Sequence, residues 1–122
     1  MTVKEEIIQL LKSTDREGIE HFLDCMDIDG FFKAPCSGGN HLCKEGGLAE
    51  HSLNVCKIAI KLAETLDYKN VESVIISSLL HDYGKVGDYG KQYYVENVLK
   101  SGKLSAAKPY KRNTTILEKI ML

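Results

Sequence analysis

GLAEHSLNVCKIAIKLAETL, residues 47–66, is the longest periodic stretch of the chain, and its reading decides the fold. Leu48, His51, Val55, Ile58 and Leu62 recur at steps of three and four, which puts them on one face of an α-helix. Working outward, Asp67 to Asn70 interrupts the pattern. Asn70 can cap a second helix with Val71, Val74, Ile75, Ser78, Leu79 and Asp82 on its inner side, and Gly84 is placed to stop it. Upstream, Thr2-Val3-Lys4-Glu5 is a capping box opening a helix with Ile7, Leu10 and Leu11 on one face, ending near Ser13. Thr14-Asp15-Arg16-Glu17 reads as a second capping box, for a helix carrying Ile19, Phe22, Leu23 and Met26 and ending at Gly30. Phe31 to Gly39 reads as a loop.

Downstream the pattern changes. Tyr93, Tyr94, Val95 and Val98 favour extended structure, and Ser101-Gly102 reads as a turn, so residues 91–110 form a small hairpin or an ordered loop. Asn113 or Thr114 can cap a last helix with Ile116, Leu117, Ile120, Met121 and Leu122. The expectation is an all-α bundle with a small β-hairpin or loop, forming one domain over residues 1–122. The apolar last helix points to a longer parent protein.

The bulk composition narrows the function. The chain has 122 residues, 43% hydrophobic and 27% charged, as in an ordinary globular protein. No apolar run approaches the ~20 residues of a membrane helix, and the N-terminus does not read as a secretory signal. Net charge is −1, which argues for neither nucleic acid nor membrane. Its distribution is uneven. Residues 1–84 hold 8 Lys+Arg against 14 Asp+Glu, whereas residues 85–122 hold 8 against 3. A basic segment would suit a phosphorylated substrate, and it would equally be an ordinary solvated loop. Cys25, Cys36, Cys43 and Cys56 contain no C-x-x-C pair, so they are expected as free thiols in a cytoplasmic protein. Cys36, His41 and Cys43 are close enough in sequence for a zinc site, but no fourth ligand is evident.

The residues that carry chemistry are His51, His81 and Asp82. His51 lies on the apolar face of its helix and is directed inward. His81 and Asp82 close the next long helix. Neighbouring helical positions differ by about 100°, so both reach one point only near the helix end. Two imidazoles and a carboxylate make a credible divalent-ion site. A lone histidine on an apolar face is more often a packed core residue, and a His-Asp pair arises often by chance.

Two segments change that balance. His41-Leu42-Cys43-Lys44-Glu45-Gly46-Gly47-Leu48-Ala49-Glu50-His51 resembles the first-histidine motif of the HD superfamily of metal-dependent phosphohydrolases. Ser77-Ser78-Leu79-Leu80-His81-Asp82-Tyr83-Gly84-Lys85 resembles its second motif, LLHDxGK. The resemblance covers roughly residues 31–90, with the two histidines 30 residues apart across a helix–loop–helix. It implies an all-helical fold, a phosphoesterase activity, and His51, His81 and Asp82 as metal ligands. It also implies Asp82 and Lys85 as catalytic groups, with Lys85 near the substrate phosphate and His41 facing the same cleft. The family's late aspartate ligand is missing: the only Asp after Asp82 is Asp88, too early for that position. Either the chain is part of a longer protein or the natural protein is shortened.

The activity expected from the resemblance is hydrolysis of a phosphoester in a nucleotide, another phosphorylated small molecule or a nucleic-acid end. One or two divalent ions would serve it, and the ligand types admit Mn, Fe, Co, Ni or Zn. His41, Lys85, Lys103 and Lys108 are the candidate substrate contacts, with Lys91 and Lys111 as further cations. Tyr93, Tyr94 and Tyr110 would stack on a base, and Tyr93–Tyr110 is the candidate lid. Two rival readings stand beside the enzyme: a catalytically incomplete domain that binds a nucleotide or a protein, and a plain helical interaction module with structural histidines.

Overall fold

The computed structural model describes residues 1–87 and 91–113. Four helices form the body: α1 (Val3–Ser13), α2 (Ile19–Asp29), α3 (Gly47–Thr65) and α4 (Val71–Leu80). A short 3₁₀ turn (Tyr83–Val86) follows, and then an antiparallel pair, β1 (Tyr94–Glu96) and β2 (Tyr110–Arg112), with Val95 opposite Lys111. This is the expected helical fold with a small hairpin. The expected helix with Ile116, Leu117, Ile120, Met121 and Leu122 lies outside the described residues, as does Asp88. No described helix is long and apolar enough to cross a membrane.

The sequence explains most helix boundaries. Thr2 accepts from the Glu5 amide at 3.1 Å and donates its hydroxyl to the Glu5 carboxylate at 3.0 Å, so Thr2 caps α1 and pairs with Glu5 through side chains. Asn70 caps α4 through the Ser73 amide at 3.2 Å. Gly30 ends α2 in the left-handed conformation, with φ 81°. The second capping box does not form. The Thr14 hydroxyl donates back to the Leu11 carbonyl at 2.6 Å, closing α1 instead of opening α2. Asp15 then turns at φ 53°, and α2 starts four residues later behind Gly18, with no side-chain cap. A buried threonine at a helix end satisfies a free carbonyl, and that outweighs a capping role for the next helix.

The core is built from Ile7 and Leu11 of α1, Leu23 and Met26 of α2, Phe31, Leu48, Leu53 and Cys56 of α3, and Ile75 and Leu79 of α4. Here α3 departs from expectation. Its buried strip is Leu48, Ala49, Ser52, Leu53, Cys56 and Ala63. Ile58 and Leu62, expected inside, are 61% and 56% exposed. The reason is steric. Helix axes approach closely where side chains are small, and the face that meets the other helices sets Ala49, Ser52, Cys56 and Ala63 between and beyond Leu48 and Leu53. The larger Val55, Leu62 and Leu66 line an open apolar groove beside it, with Val74 and Ser77 of α4. His51 sits at the edge of the core, with 23% of its side chain exposed, and not inside it.

Two further contacts set the geometry around α3 and α4. Tyr83 stacks on the buried Phe31, with ring centres 5.6 Å apart and planes at 17°, and its hydroxyl donates to Asp29 Oδ2 at 2.6 Å. Burial, helped by that bond, pushes the phenol pKa far up, so Tyr83 stays a neutral donor. At the start of α3, a Cβ on Gly47 would collide with the Leu42 carbonyl oxygen, so the loop before the helix lies directly on its first turn. Gly47→Ala is therefore expected to cost about 2–3 kcal/mol, whereas Gly84→Ala, which meets open space, should stay within roughly 0.5 kcal/mol of wild type. Urea denaturation of the two variants measures both; equal stabilities would show that the loop does not rest on α3.

Candidate metal centre

Helix α4 stops at Leu80, earlier than Gly84 predicts, and His81 is its C-terminal cap. Asp82 leaves helical geometry at φ −109° and ψ 19°, and the 3₁₀ turn begins directly after it. This early stop lets two adjacent side chains point to one place. His51 Nε2 lies 3.3 Å from His81 Nε2 and 3.3 Å from Asp82 Oδ2, and His81 Nε2 lies 3.2 Å from the same oxygen.

One hydrogen bond fixes the meaning of this triangle. His81 Nδ1 is 2.7 Å from the Ser78 carbonyl oxygen. A carbonyl only accepts, so Nδ1 carries the proton, and Nε2 of the neutral ring presents its lone pair to His51 and Asp82. The His81 lone pair and the Asp82 carboxylate oxygen then face each other at 3.2 Å, with His51 Nε2 completing the triangle and the Lys85 ammonium 3.5 Å from the same oxygen. Acceptors held this close are stabilised by a positive charge between them. Donors bonded at about 2.1 Å and separated by about 100° around one ion would be ~3.2 Å apart. The observed edges match, so the residues present fit a divalent ion. The Ser78 carbonyl is the outer partner that commonly orients a ligating histidine.

Three more groups border the triangle. Lys85 Nζ lies 3.5 Å from Asp82 Oδ2 and donates to the Cys36 carbonyl at 3.0 Å, so its ammonium borders the triangle. The His41 ring centre is 5.6 Å from that of His51, nearly perpendicular. Cys36 was not anticipated in this role: its sulfur, a His51 nitrogen and an Asp82 oxygen all lie within 4.8 Å of one another. The grouping of Cys36 with His41 and Cys43 considered from the sequence is replaced by one with His51 and Asp82. Only the fold brings residue 36 to residues 51 and 82. Lys103 and Lys108 are exposed on the β1–β2 connection, and neither borders the clefts around Lys85.

Those clefts adjoin each other. One, open and about 310 Å³, is lined by His81, Asp82, Gly84, Lys85 and Tyr93. The other, about 330 Å³, runs under the hairpin and includes Lys85, Tyr93, Tyr94 and Tyr110. Lys85 and Tyr93 border both. The hairpin is held over this region by the Tyr110 amide, which donates to the Gly38 carbonyl at 3.0 Å.

Two imidazoles and an adjacent carboxylate, gathered by two packed helices, define a helical protein with an N,N,O donor set. The HD domain family model matches residues 48–120, more than half of the chain, and the chain belongs to the HD domain family. It is also 40% identical over 62 residues to a dihydroneopterin 2',3'-cyclic phosphate phosphodiesterase from Methanocaldococcus jannaschii, over 47% of this chain and 25% of that protein. The chain thus spans about a quarter of the length of that curated relative. No solved structure matches it.

The electrostatics make a pH prediction. The pKa of His51 is lowered, first by burial, then by His81, with Asp82 opposing and His41 and Lys85 adding to the fall. Native His51 therefore binds its proton only below the ordinary value of about 6.5. Between the two values the unfolded chain holds more protons, so stability of the metal-free protein rises with pH across that window. It should fall as pH drops through about 6.5 and level off below the native pKa. Imidazole NMR titration beside urea midpoints at several pH values tests this, and a His51 titrating above 6.5 would refute it.

Proposed function

We propose that this chain is a metal-dependent phosphohydrolase domain acting on a phosphoester of a ring-bearing small molecule, in the class of nucleotides and their cyclic phosphates. In this reading His51, His81 and Asp82 hold the ion. The observation that carries it is the Ser78-locked His81, which turns its Nε2 lone pair toward the Asp82 carboxylate at 3.2 Å, with His51 Nε2 3.3 Å from both. Membership of the HD domain family and the likeness to a cyclic phosphate phosphodiesterase support the phosphohydrolase role.

A bound divalent ion would supply a polarised phosphoryl oxygen and a water of lowered pKa. The chain's own groups do the remaining work. Asp82 is aimed so that its carboxylate can accept from, and so orient, an attacking water. The Lys85 ammonium, fixed by the Cys36 carbonyl, puts positive charge where phosphoryl oxygens gain negative charge. Tyr93, Tyr94 and Tyr110 line the adjoining cleft, where a flat ring can stack. Lys85, which borders both clefts, is the substrate contact this geometry favours, and His41 reaches the site only through its ring contact with His51. For Lys103 and Lys108 the same role would need movement of the β1–β2 connection.

A second reading has its own support. No Asp follows residue 88, so the family's late aspartate has no counterpart in this sequence, and a nucleotide- or protein-binding domain without catalysis is the alternative. Purified protein is expected to bind a transition metal stoichiometrically and to hydrolyse bis-p-nitrophenyl phosphate or a 2',3'-cyclic nucleotide. His81→Ala and Asp82→Ala should lose both properties. Lys85→Ala should keep the metal and lose about 10²–10³-fold in kcat. Stoichiometric metal without hydrolysis of any ester would favour the binding domain, and no metal would end the proposal.

A further inference from the structure

We propose that Cys36 supplies a fourth protein donor, a thiolate sulfur, making the centre an N,N,O,S site. This inference rests on the reading of His51, His81 and Asp82 as ligands.

The first argument is placement. Cys36 Sγ, a His51 nitrogen and an Asp82 oxygen are mutually within 4.8 Å. Sulfur bonded at about 2.3 Å and nitrogen at about 2.0 Å around one ion stand roughly 3–3.5 Å apart, so binding would draw these groups slightly together.

The second is that the thiol has no other occupation. Cys36 is only 4% exposed, forms no disulfide, and its sulfur has no hydrogen-bond partner among the described residues. Its backbone, by contrast, is firmly held. The amide donates to the Leu42 carbonyl at 3.2 Å, and its carbonyl takes the Lys85 ammonium. On one side the loop is packed against the start of α3. On the other, a Cβ on Gly38 would stand 2.6 Å from the Tyr110 carbonyl oxygen, so the hairpin presses directly on the loop. A side chain buried beside a donor cluster, on a clamped backbone and with no partner, is placed as a ligand is.

The third argument is donor chemistry. Imidazole, carboxylate and thiolate are all ligand types that first-row divalent ions accept, and an ion with five or six positions keeps room for a water beside four protein donors. Beside His81, the residue that stands with His51 and Asp82 at ligand spacing is Cys36. A thiolate favours zinc, cobalt or ferrous iron over manganese and magnesium. The thiol proton leaves to solvent as the ion binds, so loading releases a proton.

The test uses the full chain loaded with Co²⁺ alone. Wild type should show a near-ultraviolet sulfur-to-cobalt charge-transfer band together with the visible d–d bands. Cys43→Ser should keep the charge-transfer band and Cys36→Ser should lose it, with circular dichroism confirming the fold of each variant. If Cys36→Ser fails to fold, X-ray absorption of zinc-loaded wild type decides, with one sulfur expected at about 2.3 Å. Cobalt bound with d–d bands that depend on His81 but no thiolate band, or a band that survives in Cys36→Ser, overturns the sulfur ligand and leaves the metal centre standing. Absence of any cobalt binding by equilibrium dialysis overturns the centre itself, and the sulfur ligand with it.

Discussion

Helix α4 lies against α3 through residues that have almost no surface left: Leu79 and Cys56 are wholly buried, Ile75 and Ser78 nearly so. At this seam the Cys56 thiol meets the Ser78 hydroxyl, and burial raises the thiol pKa, so it stays neutral. The same Ser78 offers its carbonyl to His81. The contact that packs the two helices thus runs through the same residue as the bond that sets the tautomer of His81. A shift of α4 along α3 would move His81 and Asp82 relative to His51 as a block.

Everything else at the site is braced on this seam. Tyr83 stacks on Phe31 and reaches Asp29, which ties the turn after Asp82 to the end of α2. Lys85 crosses to the carbonyl of Cys36 and ties the same turn to the loop before α3. The hairpin then rests on that loop at Gly38. The donors belong to three separate stretches of chain, and each is fixed by a contact that is not itself a ligand. Such support holds a constellation to the tolerance that metal or phosphate chemistry demands.

Local signals were read correctly where the physics is local. The Thr2 cap with its Glu5 pair, the Asn70 cap and the Gly30 stop each involve atoms within a few residues, and each formed. The Thr14–Glu17 box has the same letters, but Thr14 is buried, and its hydroxyl serves the helix behind it. Along α3 periodicity identified the helix but not the face that is buried. Hydropathy weights Ile58 and Leu62 above Ala49, Ser52 and Cys56, whereas close helix approach rewards small side chains.

The sequence by itself determined that this is a helical protein and that His51, His81 and Asp82 are the residues to examine. Helical periods, caps and the paired motifs are properties of neighbouring residues. The tertiary structure decided where α4 ends, which imidazole nitrogen faces the carboxylate, and that Cys36 lies beside His51 and Asp82 while Lys103 and Lys108 stand apart. Those outcomes depend on distances between residues tens of positions apart, set by packing that no local pattern encodes.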